Sequence, residues 1–175
     1  MGDIDLIRKL LREALDDPIL KARKIAEMAH EGQKYGNHPY MHHIDNVVQI
    51  ANELGYSTNV IISCYLHDTL EDTNLTKDKI SELFGNHIAS VVYAVKDEDG
   101  INRAERKSKT YVKIASMPDA IAVKLCDRIS NVRESIQGND KLFKMYKKEQ
   151  PDFEAALKNG SNQKAWDILD SLFNH

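Results

Sequence analysis

The stretch "VIISCYLHDTLEDT", residues 60–73, joins an apolar run to one histidine and a group of acids. The apolar half is typical of a helix buried nearly all round, which predicts a place at the centre of a helical bundle. The second half adds His67, Asp68, Glu71 and Asp72 with no turn signal in between. Such a cluster is costly through mutual repulsion unless a cation offsets it. The stretch therefore predicts either a cation site or a helix end that runs into solvent.

A continuous helix over about residues 58–71 places these groups in two columns. His67 then shares a face with Glu71, and Asp68 with Asp72, because each pair is four residues apart. An adjacent histidine and aspartate offer a nitrogen and an oxygen to Mn²⁺, Fe²⁺ or Zn²⁺. Taken alone, however, a His-Asp dipeptide is common on protein surfaces, and the solvent interpretation is favoured.

Helical periodicity runs along the whole chain, and no run of four or more residues shows strand alternation between turn signals. We therefore predict an all-α protein, with residues 1–175 forming a single helical-bundle domain. The helices at 140–173 are expected to pack on the rest. Glycine and proline punctuation places helices at about residues 3–15, 18–31, 40–54, 58–71, 76–84, 86–97, 103–116, 119–137, 140–149, 151–159 and 161–173.

Composition excludes several classes of function. The net charge of −3 argues against nucleic-acid binding, which needs a basic face. No apolar run approaches the roughly 18–20 residues of a membrane-spanning helix, and the N-terminus lacks the pattern of a signal peptide. Cys64 and Cys126 lie inside apolar runs and are predicted to be buried free thiols. We expect a cytoplasmic protein with no membrane partner; a homo-oligomer is compatible with the sequence.

A further carboxylate lies within "AIAVKLCDRISNV", residues 120–132, which is another nearly apolar helix with Asp127 in its middle. Burying an unpaired charge costs several kcal/mol or forces protonation, so Asp127 needs a partner. A salt bridge with Lys124, Arg128 or Arg133 and a role in metal binding are equally open from the sequence.

Two further histidines begin the helix in "HPYMHHIDNVV", residues 38–48. One of His42 and His43 can point inward while its neighbour faces water. His43, His67 with Asp68, and Asp127 would together supply two nitrogens and two oxygens from three helices. This order of ligands resembles the pattern of the HD-domain metal-dependent phosphohydrolases.

Several motifs indicate which group of HD-domain phosphohydrolases the sequence resembles most. In order and spacing they are similar to the hydrolase domain of the RelA/SpoT-type alarmone enzymes, over about residues 20–135. The stand-alone form, the small alarmone hydrolases, is the most similar, because the chain has no room for a synthetase or regulatory domain. The motifs are "AHEGQ" (29–33), "PYMHH" (39–43), "LHDTLEDT" (66–73), "LFG" (83–85), "ERK" (105–107) and "VKLCDRISNVR" (123–133).

The resemblance implies an enzyme that hydrolyses the 3′-pyrophosphate of guanosine tetra- or pentaphosphate, (p)ppGpp, with one Mn²⁺ as cofactor. It also implies that Glu71 and Asp72 flank the water that the metal activates. A carboxylate in that place can orient or deprotonate water, and Glu71 is our first choice for this role, with Asp72 in support. The metal ligands implied are His43, His67, Asp68 and Asp127.

A polyphosphate substrate also needs cationic partners. Arg103 and Lys107, four residues apart, share a helix face that could equally be solvated, and the resemblance favours them as phosphate ligands. Asn131, one turn after Asp127, is expected to reach sugar or phosphate. Lys34 lies where the family has a basic residue beside the base-binding loop.

The chain departs from the family in the loop "QKYGNHPY", residues 33–40, which is shorter and has Tyr35 where a second basic residue stands in relatives. The tyrosine ring could replace a guanidinium stacked on guanine. Two alternatives remain open: a phosphohydrolase of another nucleotide, such as a nucleoside monophosphate or NADPH, and a non-catalytic nucleotide-binding HD module. The acids Glu71 and Asp72 argue against the second, since a binding module has no need of them.

Overall fold

The computed structural model describes residues 16–174, so the helix predicted over residues 3–15 lies outside the described residues. The first described helix, α1 (Pro18–Ala29), begins where the Asp17 carboxylate accepts the N–H of Ile19 at 2.8 Å. Two short antiparallel strands follow, β1 (Lys34–Tyr35) and β2 (His38–Pro39).

Helices make up the rest of the ordered elements, and the prediction of an all-α fold is confirmed. Side chains of Ser57, Thr76, Asn102 and Asn139 accept backbone N–H groups at the starts of four of these helices. The helices are α2 (Met41–Glu53), α3 (Thr58–Leu66), α4 (Thr69–Asp72), α5 (Lys77–Phe84), α6 (Asn86–Val95), α7 (Arg103–Ala115), α8 (Pro118–Gly138), α9 (Asp140–Leu157) and α10 (Gln163–Phe173).

Helix α8 forms the centre of the packing, in contact with α2, α3, α6, α7, α9 and α10. Most of its apolar residues are buried, Ile121, Leu125 and Ile129 fully so, and the apolar residues of α3 are buried as well. Burying each such side chain contributes about 1.5–3 kcal/mol, which explains why the apolar faces of these two helices take the interior. Within residues 16–174, none of the helices combines the length and the apolar character needed to cross a membrane.

The continuous helix predicted over 58–71 is wrong, because α3 ends at Leu66 and α4 begins at Thr69. Two side chains take carbonyl groups that a continuing helix would use. His67 Nδ1 bonds to the carbonyl of Cys64 at 2.8 Å, and Thr69 Oγ1 donates to that of Leu66 at 2.7 Å. Such local side-chain bonds compete with the helical ladder, so His67 and Asp68 lie in the turn between the helices.

The prediction of two helices separated at Pro151 is also wrong, since α9 runs through Pro151 without a break. A proline inside a helix costs about 3 kcal/mol or more through its missing N–H and its ring clash. Phe153 and Leu157, just beyond it, are buried in the core. The burial of these two side chains contributes free energy of comparable size, so tertiary packing decides the continuity of the helix.

Candidate metal and phosphate site

Four side chains from separate parts of the chain converge at the end of α3. His43 comes from α2, His67 and Asp68 from the turn after α3, and Asp127 from the middle of α8. His67 Nε2 lies 3.0 Å from Asp68 Oδ2 and 3.8 Å from Asp127 Oδ1, and His43 Nε2 lies 3.7 Å and 3.4 Å from the same two oxygens. A cation about 2.0–2.2 Å from each ligand would separate neighbouring ligands by similar distances.

The hydrogen bonding of His67 tests whether this cluster fits a cation. The ring is 3% exposed, and its Nδ1 donates to the Cys64 carbonyl, so Nδ1 carries a proton and Nε2 is the nitrogen that can bind a cation. Nε2 is buried and has no hydrogen-bond partner among the described residues, although Asp68 Oδ2 is only 3.0 Å away. His67 Nε2 and Asp68 Oδ2 lie side by side without a hydrogen bond, as two ligands of one ion do. Two imidazoles and two carboxylates suit Mn²⁺, Fe²⁺ or Zn²⁺.

The structure distinguishes the two adjacent histidines of α2. His43 is 2% exposed and faces the carboxylates, with Nδ1 3.4 Å from Ser130 Oγ. The ring of His42 turns the other way, and its Nε2 lies 2.7 Å from Glu134 Oε1. Of the pair, only His43 is brought to the cluster.

The pKa values of His67 and Asp68 indicate that the two carboxylates of the cluster stabilise a nearby positive charge. Burial lowers the pKa of His67, but the Asp68 and Asp127 carboxylates outweigh it and raise that pKa to about 9. Burial raises the pKa of Asp68, yet the His67 ring outweighs it and holds that pKa well below its usual range. In the protein alone a proton on His67 therefore supplies the compensating charge, and a divalent cation can take its place.

Asp127 combines the two roles that the sequence left open. Its Oδ2 forms an ion pair with Lys124 Nζ at 2.7 Å, while its Oδ1 faces the histidines and accepts a hydrogen bond from Asn131 Nδ2. The salt bridge is thus made with Lys124 and not with Arg128 or Arg133. Burial lowers the pKa of Lys124, but the Asp127 carboxylate outweighs it, and the ammonium stays charged.

Glu71 and Asp72 lie in α4, at the edge of a cavity of about 220 Å³ that the cluster also lines. Glu71 Oε2 accepts the backbone N–H of Asp97 at 3.2 Å. Desolvation of the carboxylate raises the pKa of Glu71 above its ordinary value. A carboxylate whose pKa is raised towards neutrality is a better proton acceptor for catalysis.

Tyr40 is a site residue that the sequence reasoning missed. Its hydroxyl donates to Asp68 Oδ2 at 2.7 Å and lies 3.1 Å from Asp72 Oδ2. Burial, reinforced by the two carboxylates, raises the pKa of Tyr40 and keeps the hydroxyl protonated. The ring stacks on the buried His30 at 4.5 Å. The signal was present in "PYMHH", of which only the histidines were considered.

The two predicted phosphate ligands line the cavity, but each already has an anionic partner. Arg103 binds Glu149 with Nε 2.6 Å from Oε1, and Lys107 Nζ lies 2.8 Å from both oxygens of Asp97. Sequence reasoning found neither acid. Asp97 is ten residues before Lys107, too distant for a helix pair, and Glu149 lies beyond the stretch covered by the motifs.

Lys34 and Tyr35 are both expected beside the substrate, and the hairpin of β1 and β2 brings Tyr35 to the cavity. The Tyr35 ring stacks on His43 at 4.7 Å, and its hydroxyl donates to Asn131 Oδ1 at 2.7 Å; Asn131 is among the residues that line the cavity. Tyr35 therefore packs directly on His43, one of the proposed metal ligands. Lys34 is exposed and is not among the residues that line the cavity.

Comparison with known proteins identifies the family. The sequence profile described as "HD domain" matches residues 22–152, and the chain belongs to this HD-domain family. Two relatives are named guanosine-3′,5′-bis(diphosphate) 3′-pyrophosphohydrolase. The one from Aquifex aeolicus is 36% identical over 122 residues, which are 67% of this chain and 18% of that protein. The one from Vibrio cholerae is 30% identical over 141 residues, or 74% of this chain and 20% of that protein.

A solved structure shares the fold. It is described as a metazoan ortholog of SpoT that hydrolyzes ppGpp, and it superposes with a TM-score of 0.78 over 90% of this chain and 94% of that one, at 24% identity. The chain spans about a fifth of the length of the two curated relatives described above.

Proposed function

We propose that the chain is a divalent-metal-dependent phosphohydrolase that removes the 3′-pyrophosphate of ppGpp and pppGpp. The observation that carries this proposal is the cluster of two buried imidazoles and two carboxylates, in which His67 Nε2 lacks a hydrogen-bond partner among the described residues. Glu71, whose pKa is raised, and a cationic wall formed by Arg103 and Lys107 line the same cavity. The names of the two relatives supply the substrate, which we extend to this chain as part of the proposal.

The ion we propose is Mn²⁺, held by His43, His67, Asp68 and Asp127. A set of two nitrogens and two oxygens suits a borderline divalent cation, and the family resemblance favours manganese among them. When bound, such a cation supplies Lewis acidity, which draws charge from a phosphate oxygen and lowers the pKa of water.

The chain's own residues then carry the reaction. Glu71 accepts the proton of the attacking water, and Asp72, held by the Tyr40 hydroxyl, orients that water. The water oxygen bonds to the phosphorus attached to the ribose 3′ oxygen, the bond between that phosphorus and the 3′ oxygen breaks, the 3′ oxygen takes up a proton, and pyrophosphate is released. ppGpp thus gives GDP, and pppGpp gives GTP.

Substrate binding falls to residues around this centre. Arg103 and Lys107 bind the phosphates of the substrate, and Asn131 contacts the sugar or a phosphate. Lys34, which is exposed and outside the cavity lining, contributes positive charge near the entrance for the anionic substrate.

A phosphohydrolase of another nucleotide, such as a nucleoside monophosphate or NADPH, is the second candidate. It is favoured by the hairpin, where Tyr35 stacks on His43 and Lys34 is exposed. This arrangement leaves fewer fixed groups for reading guanine than for binding phosphate.

The test is to incubate the Mn²⁺-loaded protein with ppGpp, pppGpp, NADPH and nucleoside monophosphates, and to identify the products by anion-exchange chromatography. GDP and pyrophosphate formed from ppGpp would support the proposal. Turnover of NADPH or a monophosphate with ppGpp intact would replace it by the second candidate. Hydrolysis that continues undiminished in Asp68→Ala would contradict the metal mechanism.

A further inference from the structure

Glu149, on α9, bridges two arginines of very different exposure. Its Oε1 lies 2.6 Å from Arg103 Nε, at the cavity, and its Oε2 lies 3.0 Å from Arg128 Nη1. The exposed fraction of the side chain falls from 39% for Arg103 to 21% for Glu149 and 5% for Arg128. The three groups form a row of alternating charge from the partly exposed Arg103 to the nearly buried Arg128.

The inner end of this row is fixed. Arg128 Nη2 donates to the carbonyl of Tyr146 at 3.2 Å, and its guanidinium carbon lies 4.6 Å from the Tyr146 ring centre and 4.9 Å from that of Phe153. A planar guanidinium that is stacked and hydrogen-bonded in the interior has little freedom. Glu149 is therefore held from behind by a rigid partner.

The outer end leaves Arg103 able to bind a further anion. Glu149 contacts Nε and Nη2 of Arg103, at 2.6 Å and 3.3 Å. A guanidinium has five N–H donors, so both donors of Nη1 and one of Nη2 remain. This outer edge can bind two oxygens of one phosphate in parallel.

We propose that Glu149 is a positioning residue that fixes the guanidinium of Arg103 so that its outer edge faces the substrate's phosphates. The inference rests on the proposed function, because it takes Arg103 as a phosphate ligand. It adds a residue outside the stretch covered by the motifs, and it makes α9 part of the substrate site.

The substitution Glu149→Gln separates positioning from simple charge. Removing a negative charge beside a polyanion site tightens binding if Coulomb attraction alone acts. Loss of positioning weakens binding instead. We expect KM for ppGpp to rise about tenfold, the value of a charge-assisted hydrogen bond, with kcat changed less than about threefold. An unchanged or lower KM would overturn the proposal.

Asp152→Asn is the matched control, since it removes the same charge from the same helix. Among the described residues the Asp152 side chain makes no hydrogen bond or ion pair. We expect its KM to stay unchanged or to fall slightly. A rise in KM equal to that of Glu149→Gln would show a general effect of charge on α9 and contradict the specific role.

A double-mutant cycle tests whether Glu149 acts through Arg103. Once Arg103→Ala has raised KM, adding Glu149→Gln should change KM no further. Full additivity would mean that Glu149 acts through the packing of α9, and would overturn the proposal. Glu149→Asp guards against unfolding: it keeps the charge beside Arg128 but shortens the reach to Arg103, so KM should rise with little loss of melting temperature.

Calorimetric titration with inorganic pyrophosphate separates this proposal from the proposed function. A wild-type protein that leaves ppGpp intact contradicts the function, while the titrations still measure phosphate binding. Pyrophosphate bound about tenfold more weakly by Glu149→Gln than by the wild type would support the positioning role. Equal or tighter binding, or wild-type binding no better than that of Arg103→Ala, would overturn it.

Discussion

The His–Asp cluster and the cationic wall of Arg103 and Lys107 both contribute to the lining of one small cavity, yet their charges are arranged differently. In the cluster, His67 Nε2 faces two carboxylates with no hydrogen-bond partner among the described residues. In the wall, Arg103 and Lys107 are each paired with an acid, Glu149 and Asp97.

The difference indicates what each side requires. The cluster holds two carboxylates in a largely buried place, where the Lys124 ion pair compensates part of the charge and a proton on His67 or a bound cation compensates the rest. The wall is already neutralised, so a substrate must share its cations with protein carboxylates. We therefore expect substitutions in the cluster to abolish activity and those in the wall to reduce affinity.

The largest effect is expected for Asp68→Ala, which removes a proposed ligand. Loss of metal assistance is worth several kcal/mol, so the rate of pyrophosphate release from ppGpp should fall about 10³-fold or more. Mn²⁺ at about a hundredfold excess over its Kd should raise the melting temperature of the wild type by about 5–10 °C, and that of the variant far less.

His42→Ala provides the matched control for the cluster. His42 neighbours His43 but bonds to Glu134, so both the rate and the Mn²⁺-dependent rise in melting temperature should be retained. If His42→Ala and not His43→Ala abolished the metal response, the assignment of the two histidines would be reversed.

Glu71→Gln should have the next largest effect, because it removes the proposed proton acceptor and keeps the shape of the side chain. We expect kcat to fall about 10²- to 10³-fold, in the range of general base catalysis. The Mn²⁺-dependent rise in melting temperature should persist, since Glu71 is not among the proposed ligands. Loss of that rise would instead make Glu71 part of the metal site.

Tyr40→Phe should reduce activity about 10- to 100-fold, the usual cost of removing a group that orients metal ligands. The substitution deletes the hydroxyl that bonds Asp68 and Asp72, and it retains the ring on His30. Titration with Mn²⁺ should show weaker metal binding. Unaltered metal affinity and rate would restrict Tyr40 to packing.

Lys107→Gln tests the wall. It removes a proposed phosphate ligand and leaves Asp97 without its ion-pair partner beside the cavity, so two effects oppose an anionic substrate. KM for ppGpp should rise about tenfold, while Mn²⁺ binding is unchanged. A fall in kcat with KM constant would point to a role in the transition state alone.

Lys34→Gln should have the smallest effect. The side chain is exposed and outside the cavity lining, and an exposed charge contributes about 0–1 kcal/mol, or at most roughly a fivefold change in KM. High salt should reduce the difference further. A tenfold change would indicate that the hairpin closes over the bound substrate.

Much of this protein followed from the sequence alone. Helical periodicity indicated the all-α class because apolar spacing is a local property, and "HDTLEDT" with Asp127 indicated which residues meet because charged groups inside apolar helices need one another. Asn131 and the two cations of α7 were also found, and the structure places all three at the cavity.

Tertiary structure decided the rest. It ended α3 at Leu66, chose His43 over His42, carried α9 through Pro151, and joined Arg103 to Glu149. Each outcome depends on atoms far apart in the chain, or on a core whose burial energy exceeds a local preference. Local patterns in sequence therefore determined the kinds of residue at the site, and long-range packing determined how they are paired.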